Sequence, residues 1–265
     1  MQIQPHEIHL WLACDPQIAG EGLLAHYLAL LSEAERAQQA RFVFERHRHQ
    51  YLVTRALLRS TLSLYAPDVD GRSWQFTTNA HGKPAIAAPG NPLTLRFNLS
   101  HSEGLIVLAI TRDREVGVDV EWPQRSGEML AIAERYFSPS EVRELFALPP
   151  QQRRSRFFDL WTLKEAYIKA CGQGLAIPLE EFSYSFPAAG RVGISFAARR
   201  QDQPGEWQFW QLAPNADHKV ALAIKDRRPY SVTTYRSIPL VRRERVDCRI
   251  VRSSHELSRR LEPCL

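Results

Sequence analysis

The chain has 265 residues, 44% of them hydrophobic and 10% aromatic, and a net charge of +5, which is ample for a sizeable core and longer than the commonest single domain. No apolar run approaches the ~18 residues of a membrane span, residues 1–15 lack the basic and apolar regions of a secretory signal, and Cys14, Cys171, Cys248 and Cys264 show no C-x-x-C spacing. That pattern argues against a zinc site or disulfide framework and favours reduced thiols in a cytoplasmic protein.

In chain order, alternation predicts a strand over 8–13, with His9 and Trp11 facing one way, and then an apolar helix over 22–31. Ser32 followed by Glu35 has the form of a capping box, so a second helix is predicted from there toward Phe44. A third spans 47–65, where Tyr51, Leu52, Ala56, Leu57, Leu58, Leu62 and Leu64 fill one broad face. Arg41, Arg48, Arg55 and Arg59 accompany these helices and read as a solvated basic face. Short strands follow, the first over 74–77. His81-Gly82-Lys83-Pro84 is a turn signal, where Lys83 either reaches a phosphate or keeps a loop soluble.

Strands over 93–99 and 105–110 flank Ser100-His101-Ser102-Glu103-Gly104, a cluster whose hydroxyls, imidazole and backbone N–H groups can donate to phosphate oxygens. A lone histidine is as readily structural. The strand 115–121 comes next, then a helix over 127–137. Ser138-Pro139-Ser140-Glu141 marks another helix by cap and first-turn proline, broken at Pro149-Pro150. A central helix is predicted over about 154–171, stopped by Gly172 and Gly174, and strands follow over 182–186, 191–197, 207–212 and 219–224. LIVLAITRD at 105–113 echoes KVALAIKDR at 219–227, as two copies of one helix-plus-sheet unit with a seam near residue 115 would. After residue 235 there are eight arginines against four acidic residues. Most of the basic excess therefore lies in a tail, 236–265, read as solvated or disordered rather than as a nucleic-acid surface.

Two stretches carry the chemistry. In GVDVE, 117–121, a period of two puts Val116, Val118 and Val120 on one side and Asp119 and Glu121 on the other. Oxygen-only ligands of this kind suit a hard divalent cation such as Mg2+, which takes one or two carboxylates and fills its shell with water and phosphate. In WTLKEAYIKACGQGL, 161–175, Glu165 and Lys169 are four apart and share one helix face. That pair by itself is ordinary helix-surface chemistry; beside the GVDVE carboxylates, Glu165 can close a ligand set and Lys169 can meet an anion.

Together with FNLSHS at 97–102, these stretches resemble the three signatures of the 4'-phosphopantetheinyl transferases, in the long, monomeric Sfp-type branch, over roughly residues 8–225. The resemblance implies an α+β fold of two halves related by a pseudo-twofold, 1–114 on the coenzyme A nucleotide side and 115–235 carrying the Mg2+ and the catalytic helix, with the active site between them. It implies transfer of the phosphopantetheine arm of coenzyme A to a serine of an apo acyl or peptidyl carrier protein, releasing 3',5'-ADP. Asp119, Glu121 and Glu165 would then ligate Mg2+. Ser100, His101, Lys83 and Pro84 would hold coenzyme A, with Arg55 near its nucleotide. Lys169 would neutralise the departing diphosphate, and Glu165 would take the serine proton, directly or through water. Gln38 stands where relatives carry a basic residue toward coenzyme A, a contact that Arg36 or Arg41 would have to supply. No membrane or nucleic-acid partner is expected. The rival readings are a Mg2+-dependent nuclease, since D-x-E with a later Glu and Lys also describes a phosphodiester-cleaving site, and a non-catalytic adaptor for carrier proteins.

Overall fold

The computed structural model describes residues 1–88 and 90–255. Its elements, in order, are β1 (Glu7–Ala13), α1 (Glu21–Leu30), α2 (Glu33–Ala40), α3 (Glu45–Tyr65), β2 (Phe76–Thr78), β3 (Pro84–Ile86), β4 (Leu95–Ser102), β5 (Leu105–Arg112), β6 (Val116–Glu121), α4 (Met129–Tyr136), α5 (Pro139–Ala147), α6 (Pro150–Cys171), β7 (Phe182–Ser185), β8 (Gly193–Phe196), β9 (Trp207–Ala213), β10 (Lys219–Lys225), β11 (Ser231–Ile238), β12 (Arg242–Val246) and β13 (Arg249–Ser253). The fold is α+β. Of its two larger sheets, one has the order β12-β11-β1-β5-β4 and the other β13-β9-β10-β6, while β2-β3 and β7-β8 form separate two-stranded sheets. The two strands of the sequence echo, β5 and β10, each lie inside one of these sheets.

Alternation along the strands explains the layering. Ile8, Leu10 and Leu12 of β1, Leu105, Val107 and Ala109 of β5, and Val116, Val118 and Val120 of β6 meet Trp210, Leu212, Val220 and Leu222 in one cluster between the sheets. The opposite faces go outward: Trp11, Ile106, Leu108 and Ile110 pack with Val53, Leu57 and Leu58 of α3, and Phe209, Ala221 and Ala223 pack with Leu163, Ala166 and Ala170 of α6. The result is helix, sheet, sheet, helix, with each fully buried Val, Leu or Ile contributing about 1.5–3 kcal/mol.

Both predicted capping boxes form, Ser32 with Glu35 and Ser138 with Glu141. Three expectations differ. The helix expected from about 154 starts at Pro150, because a proline in the first turn gives up only an N–H that has no partner there anyway. Arg59 is 2% exposed rather than solvated; with Arg55 it grips the buried Glu35 carboxylate, Arg59 Nε donating to Oε2 over 2.8 Å. The residues after 235 are not a loose tail as far as they are described: β11 runs parallel to β1, β12 pairs with β11, and β13 returns to the other sheet beside β9. Strand β12 reads RRERV and β13 RIVRS, so neither shows an alternation that would announce a strand; pairing with β11 and β9 supplies what the local pattern lacks. The last part of that stretch, 256–265, lies outside the described residues. Among the described residues no helix is long and apolar enough to cross a membrane.

Candidate active site

The site lies where the two sheets meet edge to edge beneath α6. Strand β4 ends one sheet and β6 ends the other, and side chains join them. Asn98 Oδ1, Ser100 Oγ and Ser102 Oγ accept from the backbone N–H groups of Val118, Val120 and Trp122 at 2.9, 3.3 and 3.1 Å. The period of two in FNLSHS puts these three polar residues on one face of β4. The cluster expected in a loop is therefore mostly strand, since β4 runs through Ser102 and only Glu103 and Gly104 turn. Ser100 points into the seam, and His101, its strand neighbour, to the other face.

Helix α6 lies directly on β6 because residue 117 has no side chain: a Cβ there would overlap the Ala166 carbonyl oxygen and fall 2.5 Å from Ala170 N. This close approach brings the polar face of β6 against Glu165 and Lys169. Asp119, only 4% exposed, accepts at Oδ1 from Lys169 Nζ (2.6 Å) and Ser100 Oγ (3.0 Å). Its Oδ2 is buried and has no hydrogen-bond partner among the described residues. Lys169 Nζ also donates to Ser100 Oγ at 3.1 Å.

Glu165 and Glu121 both stand near enough to Asp119 to feel its charge. Burial, and then the charge of Asp119, push the Glu165 carboxyl up to about 7, against the pull of Lys169 and Arg125. Glu121 is likewise raised to about 7 by burial and Asp119, although Arg125 Nη2 lies 3.2 Å from its Oε1. Carboxyl groups held together in this way gain from a bound cation, which relieves their repulsion. Among the described residues no group of three His, Cys, Asp or Glu side chains is placed so that it could hold a metal ion, so Asp119, Glu121 and Glu165, expected together as ligands, do not stand as a ready-made set. The donor set nonetheless fits a divalent ion of the Mg2+ type, which takes few protein oxygens, and the orphaned Asp119 Oδ2 is the buried acceptor it would satisfy.

The remaining sequence candidates sit elsewhere or are engaged. His101 lies on the other face of β4 and is exposed there; partial enclosure of its ring, and then the charge of Lys169, hold it below its usual range, with Asp15 acting in the opposite sense. Lys83 is neither a free loop lysine nor aimed at an open site: its Nζ donates to Glu115 Oε2 (2.5 Å), Ala170 O (3.2 Å) and Val116 O (3.4 Å). It thereby caps the C-terminus of α6, where a cation is favoured. Pro84 is exposed and opens β3. Arg55 is committed to Glu35 and lies 4.6 Å from the Phe76 ring centroid. Gln38 is exposed beside Arg41, whose Nη1 is 3.5 Å from its Oε1.

Comparison with known proteins decides the family. The family model described as "4'-phosphopantetheinyl transferase superfamily" matches residues 115–224, and that described as "4'-phosphopantetheinyl transferase, N-terminal" matches 20–113. The 4'-phosphopantetheinyl transferase HetI of Nostoc sp. is 34% identical over 82% of this chain and 87% of its own. The chain belongs to the 4'-phosphopantetheinyl transferase superfamily. The Sfp protein of Bacillus subtilis is 32% identical over 63% of this chain and 72% of its own, and psf-1 of Bacillus pumilus 34% identical over 75% and 80%. All three bear the name 4'-phosphopantetheinyl transferase, which places this transferase in the Sfp type and gives the nuclease and adaptor readings no support.

Sequence reasoning missed several residues that shape this transferase's site. Asn98 announces itself only by its alternation with Ser100 and Ser102, and Arg125 by standing four residues after Glu121. Lys164, next to Glu165, is fully buried and donates to Glu141 Oε2, Leu179 O and Phe182 O, each at 2.8 Å. It looks like any other helix lysine until the packing is known.

Proposed function

We propose that this transferase moves the 4'-phosphopantetheine group of coenzyme A to the serine of an apo acyl or peptidyl carrier protein, with Mg2+ as its ion, giving the holo carrier and 3',5'-ADP. One observation supports the site assignment above the others: Asp119 has one carboxylate oxygen held by Lys169 and Ser100 and the other buried without a partner, at the place where the family's motifs converge.

Breaking a diphosphate with an alcohol calls for alignment and charge compensation more than covalent help. Asp119 would hold the ion through Oδ2, with Glu121 and Glu165 beside it, and the bound ion would supply positive charge to the diphosphate oxygens. Lys169 supplies a fixed ammonium at the same place and offsets negative charge on the leaving 3',5'-ADP. The carrier serine Oγ attacks the phosphorus that bears pantetheine, the bond from that phosphorus to the bridging oxygen breaks, and the serine proton passes to Glu165. His101 borders the phosphates, and Lys83, Pro84 and Arg55 build the coenzyme A side by holding the 79–86 hairpin, α3 and the end of α6 in place. Ser100 lies in one half, 1–114, and Asp119 and Lys169 in the other, 115–235, which supports reading the enzyme as a monomer with its site between the halves, acting in the cytoplasm.

Incubation with coenzyme A, Mg2+ and a panel of apo carrier proteins, read by intact mass, tests this. The expected result is a carrier heavier by one phosphopantetheine group, and a folded Asp119→Ala variant slower by about 10²–10³-fold. Undiminished transfer by that variant contradicts the assignment.

A further inference from the structure

We infer that Ser100 is a positioning residue for Asp119: its hydroxyl selects which of the two carboxylate oxygens is left for the cation, and it is not a donor to the phosphates of coenzyme A. The inference rests on the reading of Asp119 as the group that holds the ion.

A serine hydroxyl has one proton to give and two lone pairs to accept with. Two of the three groups around Ser100 Oγ can only donate, the backbone N–H of Val120 at 3.3 Å and the Lys169 ammonium at 3.1 Å. They take both lone pairs. The single proton therefore goes to the third group, Asp119 Oδ1, at 3.0 Å. Nothing remains to offer a phosphate unless the bond to Asp119 breaks.

Those bonds have a direction. Val120 is the residue after Asp119, so Ser100 is anchored to the backbone of the strand that carries the carboxylate. From that anchor it pins Oδ1, which Lys169 also holds at 2.6 Å, and the orphaned atom is then Oδ2. Asn98 and Ser102 make the same kind of rung to Val118 N and Trp122 N without bonding to Asp119. The seam thus contains its own control, a rung that joins the sheets but orients no ligand.

Mn2+ serves as the probe. Its binding is titrated by electron paramagnetic resonance on the full chain without coenzyme A, and the KM for coenzyme A is measured separately at saturating Mg2+. Ser100→Ala is expected to weaken Mn2+ binding about ten- to hundred-fold, the usual cost of losing a partner that orients a ligand, while that KM stays as in the wild type. Ser100→Thr should recover most of the affinity, and Ser102→Ala should bind Mn2+ as the wild type does. Where the alanine variant does not fold by circular dichroism, Ser100→Cys keeps the volume with a weak donor, and the same weakening is expected.

Three results would overturn the inference: wild-type Mn2+ affinity in Ser100→Ala or Ser100→Cys, a raised KM for coenzyme A with unchanged metal affinity, or equal weakening by Ser102→Ala. Wild-type Mn2+ affinity in Asp119→Ala would instead remove the reading of Asp119 on which it rests. Loss in Asp119→Ala with full affinity in Ser100→Ala would remove the Ser100 inference alone.

Discussion

Two kinds of carboxylate coexist in this chain, and their partners separate them. Asp119 keeps a buried oxygen free beside a lysine, whereas Asp202 is satisfied on every side: Arg200, Tyr167, Lys225 and Trp207 donate to it at 2.6, 2.8, 3.0 and 3.2 Å. Burial opposes ionisation of Asp202, but the hydrogen bonds from Arg200, Tyr167 and Lys225 outweigh it and hold the carboxyl down at about 2. A carboxyl lowered on folding adds stability that is fully present above its unfolded value, here 3.8, and is lost as pH falls through about 2. Asp202→Asn should therefore melt below the wild type at pH 7, with the gap closing as pH drops from 3.8 toward 2; melting curves across that range check it, and a gap independent of pH would contradict the pairing. Lys169→Ala should slow transfer less than Asp119→Ala, since it removes a compensating charge and leaves the oxygen ligands in place.

Helix α6 carries Glu165 and Lys169, and two contacts on opposite sides fix its place. On one side Gly117 admits the helix backbone. Gly117→Ala should cost about 1–3 kcal/mol or more, which lowers the melting temperature by roughly 2–4 °C per kcal/mol in a chain of this size, with activity falling because the polar face of β6 is pushed away from Glu165. On the other side, Lys164 and Glu141 form an ion pair with both side chains 0% exposed. Removing one partner of such a pair leaves an uncompensated buried charge and costs about 3–5 kcal/mol. Lys164→Met should show a loss of that size in denaturant unfolding, and Glu141→Gln in the same chain should recover part of it, since the amide can still serve the capping box without bringing a charge. No recovery in the double variant would argue that the lysine matters for shape rather than charge.

Across the whole molecule, the C-terminal strands tie the two sheets together. Strand β11 covers one edge of β1, β12 covers β11, and β13 covers β9 while Arg252 Nη1 reaches Gln211 Oε1 at 2.8 Å and Asp159 Oδ2 of α6 at 3.3 Å. A chain ending at residue 238 loses β12 and β13, opening edges on both sheets, and open edges invite strand-to-strand association. It should melt lower and aggregate, as light scattering would show. A chain ending at residue 230 also loses β11 and bares β1 beside the central core, and it should not accumulate in folded form. Wild-type melting of the 238 variant would mean that these strands merely decorate the sheets.

Local signals foretold much of this. Alternation separated Val116, Val118 and Val120 from Asp119 and Glu121, helical spacing placed Glu165 with Lys169, and Ser32 and Ser138 marked their helices, because each of these depends on backbone periodicity or on a cap three residues away. The family resemblance, carried by three short motifs, is of the same local kind. What the sequence could not decide depends on groups far apart in the chain. Ser100 is exhausted by Val120, Lys169 and Asp119, Lys83 caps the end of α6, Arg59 is buried on Glu35, and the arginine-rich end joins the sheets as strands. A side chain's role follows from which donors and acceptors surround it once it is desolvated, and only tertiary packing brings those together.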